Sequence, residues 1–287
     1  MVQDRKMMRF DDGRILGFAQ YGDLKGKPLF YFHGWPASRT GAAKYDTLAK
    51  KLHIRIIAPD RPGYGLSEYQ KSRTILDWPD DVVALANHLK IKMFAVMGVS
   101  GGGPYAAVCA CKIPGRITKT GIVVGLSPFY GPEAFDGMMW MGRVGWQNFG
   151  RFPIACTISA FMQYTNASFG PSWGLYRYLF GAKADRKLYQ DGDIRIATKD
   201  NFREAFRSGW KGPELDLWLY TTDWGFDIGD IKTKTYLWYG ADDQNVSLNM
   251  GKYYASKIRG SKFTVYPGEG HLVSVTHAPE ILRTLTT

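Results

Sequence analysis

The sequence predicts an α/β fold: a mainly parallel central sheet flanked by helices, with a helical insertion in the middle of the chain. Three observations predict it. Short apolar runs of strand length alternate with helical stretches, the pattern of strands joined by crossover helices. That alternation stops between residues 126 and 232, where strand signals vanish and six of the nine tryptophans fall. A Gly-x-Ser-x-Gly pentapeptide, Gly98-Val99-Ser100-Gly101-Gly102, stands where one apolar run passes into a small-residue helical segment.

The elements follow in order. Residues 14–21 and 28–32 read as the first two strands, 43–52 as a helix and 54–58 as the next strand. Asp77-Trp78-Pro79-Asp80-Asp81 opens a helix with an N-cap residue, an early proline and acids in the first turn, ahead of apolar periodicity. Residues 93–97 form a strand that runs into the pentapeptide, 101–110 the helix behind it, and 117–124 another buried strand. After the insertion, 234–239 and 262–267 are again β-rich. With 287 residues and 45% apolar content, this is one large globular unit with a sizeable core. Residues 1–125 and 233–287 are expected to form the α/β core, and 126–232 the helical insertion.

Composition narrows the function classes. The formal net charge is +11, but residues 126–232 carry 12 basic and 12 acidic side chains, and no basic run of five occurs anywhere. A nucleic-acid surface would concentrate the charge, so a solvated basic surface is expected and no nucleic-acid partner. No stretch reaches the roughly 18 apolar residues of a membrane span; residues 152–164 come nearest and read as a buried or lid helix. Residues 1–9 show neither an apolar h-region nor a cleavage site, so no signal peptide is expected. Cys109 and Cys111 are too close for a disulfide and lack metal-ligand spacing. With Cys156 they suit reduced thiols in a cytoplasmic protein, without a metal site.

The pentapeptide carries the chemistry. A serine between two glycines at a strand-to-helix turn has the form of a nucleophile elbow. The turn is strained and lifts the hydroxyl above the sheet edge, and only small neighbours let the two backbones approach. The helix behind it offers unpaired N–H groups and a positive dipole end. A phosphate loop is excluded, because no Gly-Lys-Ser/Thr follows. Such a serine needs a base, and the base an orienting acid, both beyond strand C-terminal ends. Gly240-Ala241-Asp242-Asp243 follows one downstream strand, and Gly268-Glu269-Gly270-His271 follows the next. Of the five histidines, only His271 comes after a strand and a glycine turn. His53 precedes a strand, His88 ends a helix, His277 lies in the C-terminal helical segment, and His33 belongs to His33-Gly34-Trp35-Pro36.

These motifs, in this order, resemble those of the α/β-hydrolase superfamily, in the group of serine hydrolases with a helical cap that includes esterases and prolyl-iminopeptidase-like enzymes. The resemblance covers nearly the whole chain outside its middle third. It implies the α/β-hydrolase fold, with Ser100 as nucleophile, His271 as base and Asp243 as acid. Asp243 occupies the G-x-x-D register with Val246 three residues on, and Asp242 is the runner-up. It implies an oxyanion hole from the backbone N–H groups of Trp35 and Gly101, with His33 fixing its loop through the side chain. Asp60 to Ser67 resembles the D-x-x-G-x-G-x-S turn of the family and is read as scaffold. The His-Gly-Trp-Pro form recurs in epoxide hydrolases, which attack through an aspartate at the elbow; Ser100 rules out that route.

Residues 126–232 resemble the cap inserted after the sixth strand in many members. Met138, Met139, Trp140, Phe161 and Met162 are candidates to line an apolar pocket, with packing of cap onto core as the competing role of each. The expected function is a serine hydrolase that cleaves a carboxylic ester or lactone of an apolar or aromatic small molecule through an acyl-enzyme, without a cofactor. A C–C bond hydrolase or an aminopeptidase with the same triad remains an alternative. The latter needs carboxylates in the cap, where Glu133, Glu204 and Glu214 are the glutamates. A cofactor-free lyase and a ligand receptor on this fold are the rivals from other classes.

Overall fold

The computed structural model describes residues 3–169 and 182–287; Trp173, one of the tryptophans of the insertion, lies outside them. Eight strands form one sheet: β1 (Gln3–Arg9), β2 (Ile15–Gly22), β3 (Lys27–Phe32), β4 (Ile54–Pro59), β5 (Phe94–Val99), β6 (Ile117–Val123), β7 (Thr235–Gly240) and β8 (Lys262–Tyr266). Their order is β1-β2-β4-β3-β5-β6-β7-β8. The β1–β2 and β2–β4 pairs are antiparallel, and every pair from β4 to β8 is parallel. The sheet is therefore mainly parallel, as the alternation predicts. Strand β1 was not expected. Its sequence is QDRKMMR, and it sits at the sheet edge, where charged side chains reach solvent.

Helices cover both faces: α1 (Asp46–Lys51), α2 (Trp78–His88), α3 (Gly103–Lys112), and further along the chain the helices that follow β7. Alternate residues of β3 serve the two sides. Phe30 and Phe32 join a core with Val82, Leu85, Tyr105 and Ala106 of α2 and α3, whereas Leu29 and Tyr31 join one with Ala49, Ile281 and Leu285. The start of α2 differs from expectation. Asp77 does not cap α2 with its side chain; it accepts from the Thr74 backbone N–H at 2.6 Å, closing a capping box on the 3-10 turn Ile75–Asp77 that leads into the helix.

Between β6 and β7 the described residues contain no strand. They hold α4 (Trp140–Phe149), α5 (Pro153–Phe169), α6 (Lys183–Leu188), α7 (Gly192–Ala205) and α8 (Lys211–Thr221). α5 packs against α4, α7 and α8. Cys156, Ala160 and Leu217 form the small core of this layer, with Trp146, Phe149, Trp210 and Trp218 around it. The chain then returns through β7, α9 (Leu248–Lys257), β8, α10 (Val273–Thr276) and α11 (Ala278–Thr286). No helix among the described residues is long and apolar enough to cross a membrane. Cys109, Cys111 and Cys156 are unpaired thiols.

Parallel register aligns the ends of the strands that matter. Val99 pairs with Val123, Val123 with Trp238, and Trp238 with Thr264. The residues that follow β5, β7 and β8 thus emerge at one edge of the sheet.

Candidate active site

Ser100 follows the last residue of β5 and adopts φ +56°, a left-handed backbone that a non-glycine residue rarely takes. Packing over-determines it. A Cβ on Gly98 would stand 2.2 Å from the Gly102 carbonyl oxygen, and one on Gly102 would stand 2.1 Å from that of Phe32. The two flanking glycines therefore serve backbone approach, holding the turn against α3 and β3. Gly101 lies in the first turn behind Ser100, where backbone N–H groups have no intrahelical acceptor.

His271 bridges Ser100 and Asp243. Its Nε2 lies 3.0 Å from Ser100 Oγ and its Nδ1 2.8 Å from Asp243 Oδ2. The other Asp243 oxygen accepts the backbone N–H groups of Asn245 and Val246 at 2.8 and 3.1 Å, so the loop itself orients the carboxylate. An ionised Asp243 requires Nδ1–H as donor, which leaves Nε2 to accept from the serine hydroxyl. Asp242 is exposed, with its backbone N–H spent on Glu269 O. His53 and His277 have separate partners. His53 meets Asp23 at 3.0 Å, and His277 stacks on Tyr266 with Glu269 3.6 Å away.

The loop after β3 faces the elbow. A Cβ on Gly101 would lie 3.1 Å from the Trp35 backbone nitrogen, and both residues line the same cavity as Ser100. His33 is buried, receives the Arg61 backbone N–H on Nε2 at 3.2 Å and contacts the Gly34 carbonyl through Nδ1 at 2.9 Å. Burial, and then the charge of Arg61, push its imidazole well below the ordinary histidine value, so it stays neutral and holds the loop.

Sequence reasoning missed the group behind this loop. Asp216 of α8 is 0% exposed and takes Arg61 Nε at 2.8 Å, Tyr64 OH at 2.7 Å, Tyr105 OH at 2.6 Å, Tyr220 OH at 3.1 Å and the Arg73 guanidinium. Arg61 in turn donates to the carbonyls of His33 and Gly34, the latter at 3.0 Å. Burial would raise the Asp216 carboxyl; Arg61 and Arg73 outweigh it and hold it far below the usual carboxylate range. An apolar helix bearing one aspartate at Leu215-Asp216-Leu217 was the available signal, since a carboxylate between leucines needs a buried cation.

A cavity of about 520 Å³ opens over Ser100 and His271. Trp35, Leu126, Met139, Met141, Trp146, Phe149 and Val246 give it an apolar wall, and Ser159, Gln163, Asn166, Gln244 and Asn245 a polar one. No Lys, Arg, Asp or Glu stands among the described residues that line it. Of the expected lining residues, Met139 and Met162 face the cavity. Met138 does not: it is buried in the core beside Phe135. Trp140 and Phe161 do not either: Trp140 is 69% exposed on α4, and Phe161 on α5 packs against the rings of Tyr164 and Trp210. Trp146 and Phe149, six and nine residues after Trp140, take the place assigned to it. Among the described residues, no group of His, Cys, Asp and Glu is arranged to hold a metal ion.

This sheet, with a serine on a strained turn beside a buried His–Asp pair, defines the class, and comparison with known proteins agrees. The profile of the alpha/beta hydrolase fold matches residues 27–278. The chain belongs to the alpha/beta hydrolase fold family. It is 26% identical to a 2-hydroxymuconate semialdehyde hydrolase of Pseudomonas putida over 90% of this chain and 85% of that one. It is 24% identical to a non-heme haloperoxidase of Rhodococcus erythropolis over 94% of both. Among solved structures, an esterase from Rhodococcus sp. ECU1013 superposes with a TM-score of 0.70 at 19% identity, covering 98% of each chain. Membership carries the fold and the hydrolase class; relatives of this kind differ in substrate.

Proposed function

We propose that the protein is a serine hydrolase of a neutral carboxylic ester or lactone, acting through an acyl-enzyme at Ser100. The observation that carries this reading is the unbroken line Ser100 Oγ–His271–Asp243 at 3.0 and 2.8 Å, at the floor of a cavity whose described lining holds no Lys, Arg, Asp or Glu. His271 Nε2 takes the hydroxyl proton as Oγ attacks the acyl carbon, and Asp243 holds the tautomer and stabilises the imidazolium. The N–H groups of Trp35 and Gly101 receive the oxyanion, each donor worth about 3 kcal/mol in the transition state. The imidazolium then protonates the leaving alcohol, and water attacks the acyl-enzyme through the same base. In this reading residues 126–232 are a cap that excludes water and shapes the cavity, over a core of residues 1–125 and 233–287. The unpaired thiols suit a reducing compartment such as the cytoplasm.

The lining selects within the class. A substrate with an apolar or aromatic arm fits the Met, Trp and Phe wall, and a neutral hydrogen-bonding arm fits the carboxamides. Glu133, Glu204 and Glu214 lie away from the cavity lining, so the cap glutamates offer no anchor for the free amine of a peptide. C–C bond hydrolysis is the second reading, favoured by the match to the hydroxymuconate semialdehyde hydrolase over 90% of this chain. Its substrate is an acid, whereas the described lining presents no cation. The test is a p-nitrophenyl ester assay with fluorophosphonate labelling. Wild type should turn over and carry one adduct on Ser100, while Ser100→Ala loses both, with kcat down by roughly 10⁴-fold or more. Near-native turnover by Ser100→Ala would end the acyl-enzyme reading.

A further inference from the structure

His271 is held by two carboxylates, of which only one belongs to the expected triad. Asp185 on α6, in the inserted segment, accepts the backbone N–H of His271 on Oδ2 and that of Leu272 on Oδ1, both at 2.9 Å. It is 2% exposed, and no ion pair to it exists among the described residues. A buried carboxylate without a cation is costly, and two charge-assisted N–H bonds offset only part of that cost. A neutral acceptor would cap the same turn more cheaply, so the charge itself needs a reason.

Gly270 supplies an independent observation. Its backbone is not left-handed; that role in Gly268-Glu269-Gly270 belongs to Gly268, at φ +75°. The three atoms nearest to a Cβ built on Gly270 are Asp185 Oδ2, Cγ and Oδ1, at 2.5, 2.6 and 2.7 Å. The glycine before the histidine thus leaves room for this carboxylate.

Resting on the triad reading above, we propose that Asp185 is a positioning residue for His271: a carboxylate from the cap that grips the histidine's own backbone and adds a second negative charge beside the imidazole. The groups facing His271 are Ser100 from the elbow, Asp243 from the loop after β7 and Asp185 from α6. Glu269, two residues earlier, turns instead to Thr276 and His277. Burial raises the Asp185 carboxyl against the opposing pull of those N–H bonds and of His271. Its ionised form is therefore the one that the imidazolium rewards. The base is complete only when the inserted segment is seated.

Asp185→Asn tests this, because it keeps the volume, removes the charge and turns one acceptor into a donor. Expected are a fall in kcat of about 10-fold or more with KM changed less than 3-fold, and movement of the rising limb of the pH–rate profile to lower pH, since the imidazolium has lost a stabilising charge. Asp185→Glu should recover part of the rate. Gly270→Ala displaces the carboxylate without removing it and should show the same signature. In an Asp185→Ala background the same glycine change should cost little, a non-additivity that bulk destabilisation does not produce. If Asp185→Asn does not fold, the Gly270→Ala profile decides. Unchanged kcat and an unmoved limb in the folded variant, or additive losses in the cycle, overturn the proposal. Titrating the His271 ring by NMR in wild type and Asp185→Asn separates it from the ester reading. A midpoint lowered in the variant supports Asp185 even if no fluorophosphonate adduct forms on Ser100, and an unmoved midpoint rejects it even if the adduct forms.

Discussion

Two adjacent aspartates after β7 differ in what they touch, and the difference sets the expected effect of changing each. Asp243 presents one oxygen to His271 Nδ1 at 2.8 Å and the other to two loop N–H groups. Asp242 has an exposed side chain. Asp243→Asn puts an amide opposite Nδ1, favours the wrong imidazole tautomer and should cost about 10³- to 10⁴-fold in kcat. Asp242→Asn should stay within a few-fold of wild type. Parallel kinetics on one ester check this, and a crippling Asp242→Asn beside a mild Asp243→Asn would reverse the assignment.

At the scale of elements, the helix α8 and the loop after β3 act as one unit through Asp216 and Arg61. Five side chains donate to that single carboxylate, and Arg61 passes the constraint on to the carbonyls of His33 and Gly34. Breaking such a buried cluster from one side leaves uncompensated cations and costs about 3–5 kcal/mol. The sign with pH follows from the depressed folded value of Asp216. Its contribution is complete above the unfolded carboxylate range near about pH 4 and is lost as pH falls through the lower folded value. Asp216→Asn should therefore unfold at markedly lower denaturant at neutral pH, with the gap to wild type closing below about pH 4. A pH series of urea melts measures it, and a gap that widens with acid would contradict the assignment.

For the whole molecule, the division of labour between sheet edge and inserted segment predicts where selectivity lies. In the proposed reading the oxyanion donors and triad would contact only the reacting carboxyl, while Met139, Met141, Trp146 and Phe149 line the cavity that would take the rest of a substrate. Each further buried methylene is worth about 0.8 kcal/mol at best, so kcat/KM should climb several-fold per carbon until the cavity of about 520 Å³ fills. Trp146→Ala or Phe149→Ala should reorder long against short esters while leaving the smallest ester nearly unchanged. Trp140→Ala, on the outward side of α4, should leave the ranking intact. An acyl-chain panel on these three variants is the measurement, and equal scaling of all substrates would place selectivity elsewhere.

The alternation of strands and helices, its helical interruption, Ser100 on a tight turn and His271 after a strand were legible in the sequence by itself, because each depends on local rules. The choice of Asp243 over Asp242 came from the resemblance to the α/β-hydrolase pattern. Strand and helix periods are read within a window, and Gly98 and Gly102 betray a tight turn whatever lies beyond it. The edge strand β1 escaped, since its polar sequence carries no burial signal. What only the tertiary structure decided is everything that depends on side-chain direction between elements far apart in the chain. Trp140 and Trp146 are equally apolar, and only the seating of α4 turns the second inward. Asp185 meets residues 86 and 87 positions away, and Asp216 meets Arg61 at a separation of 155. No spacing rule reaches that far. A buried carboxylate looks like any surface aspartate until packing brings the N–H groups and guanidinium that stabilise it.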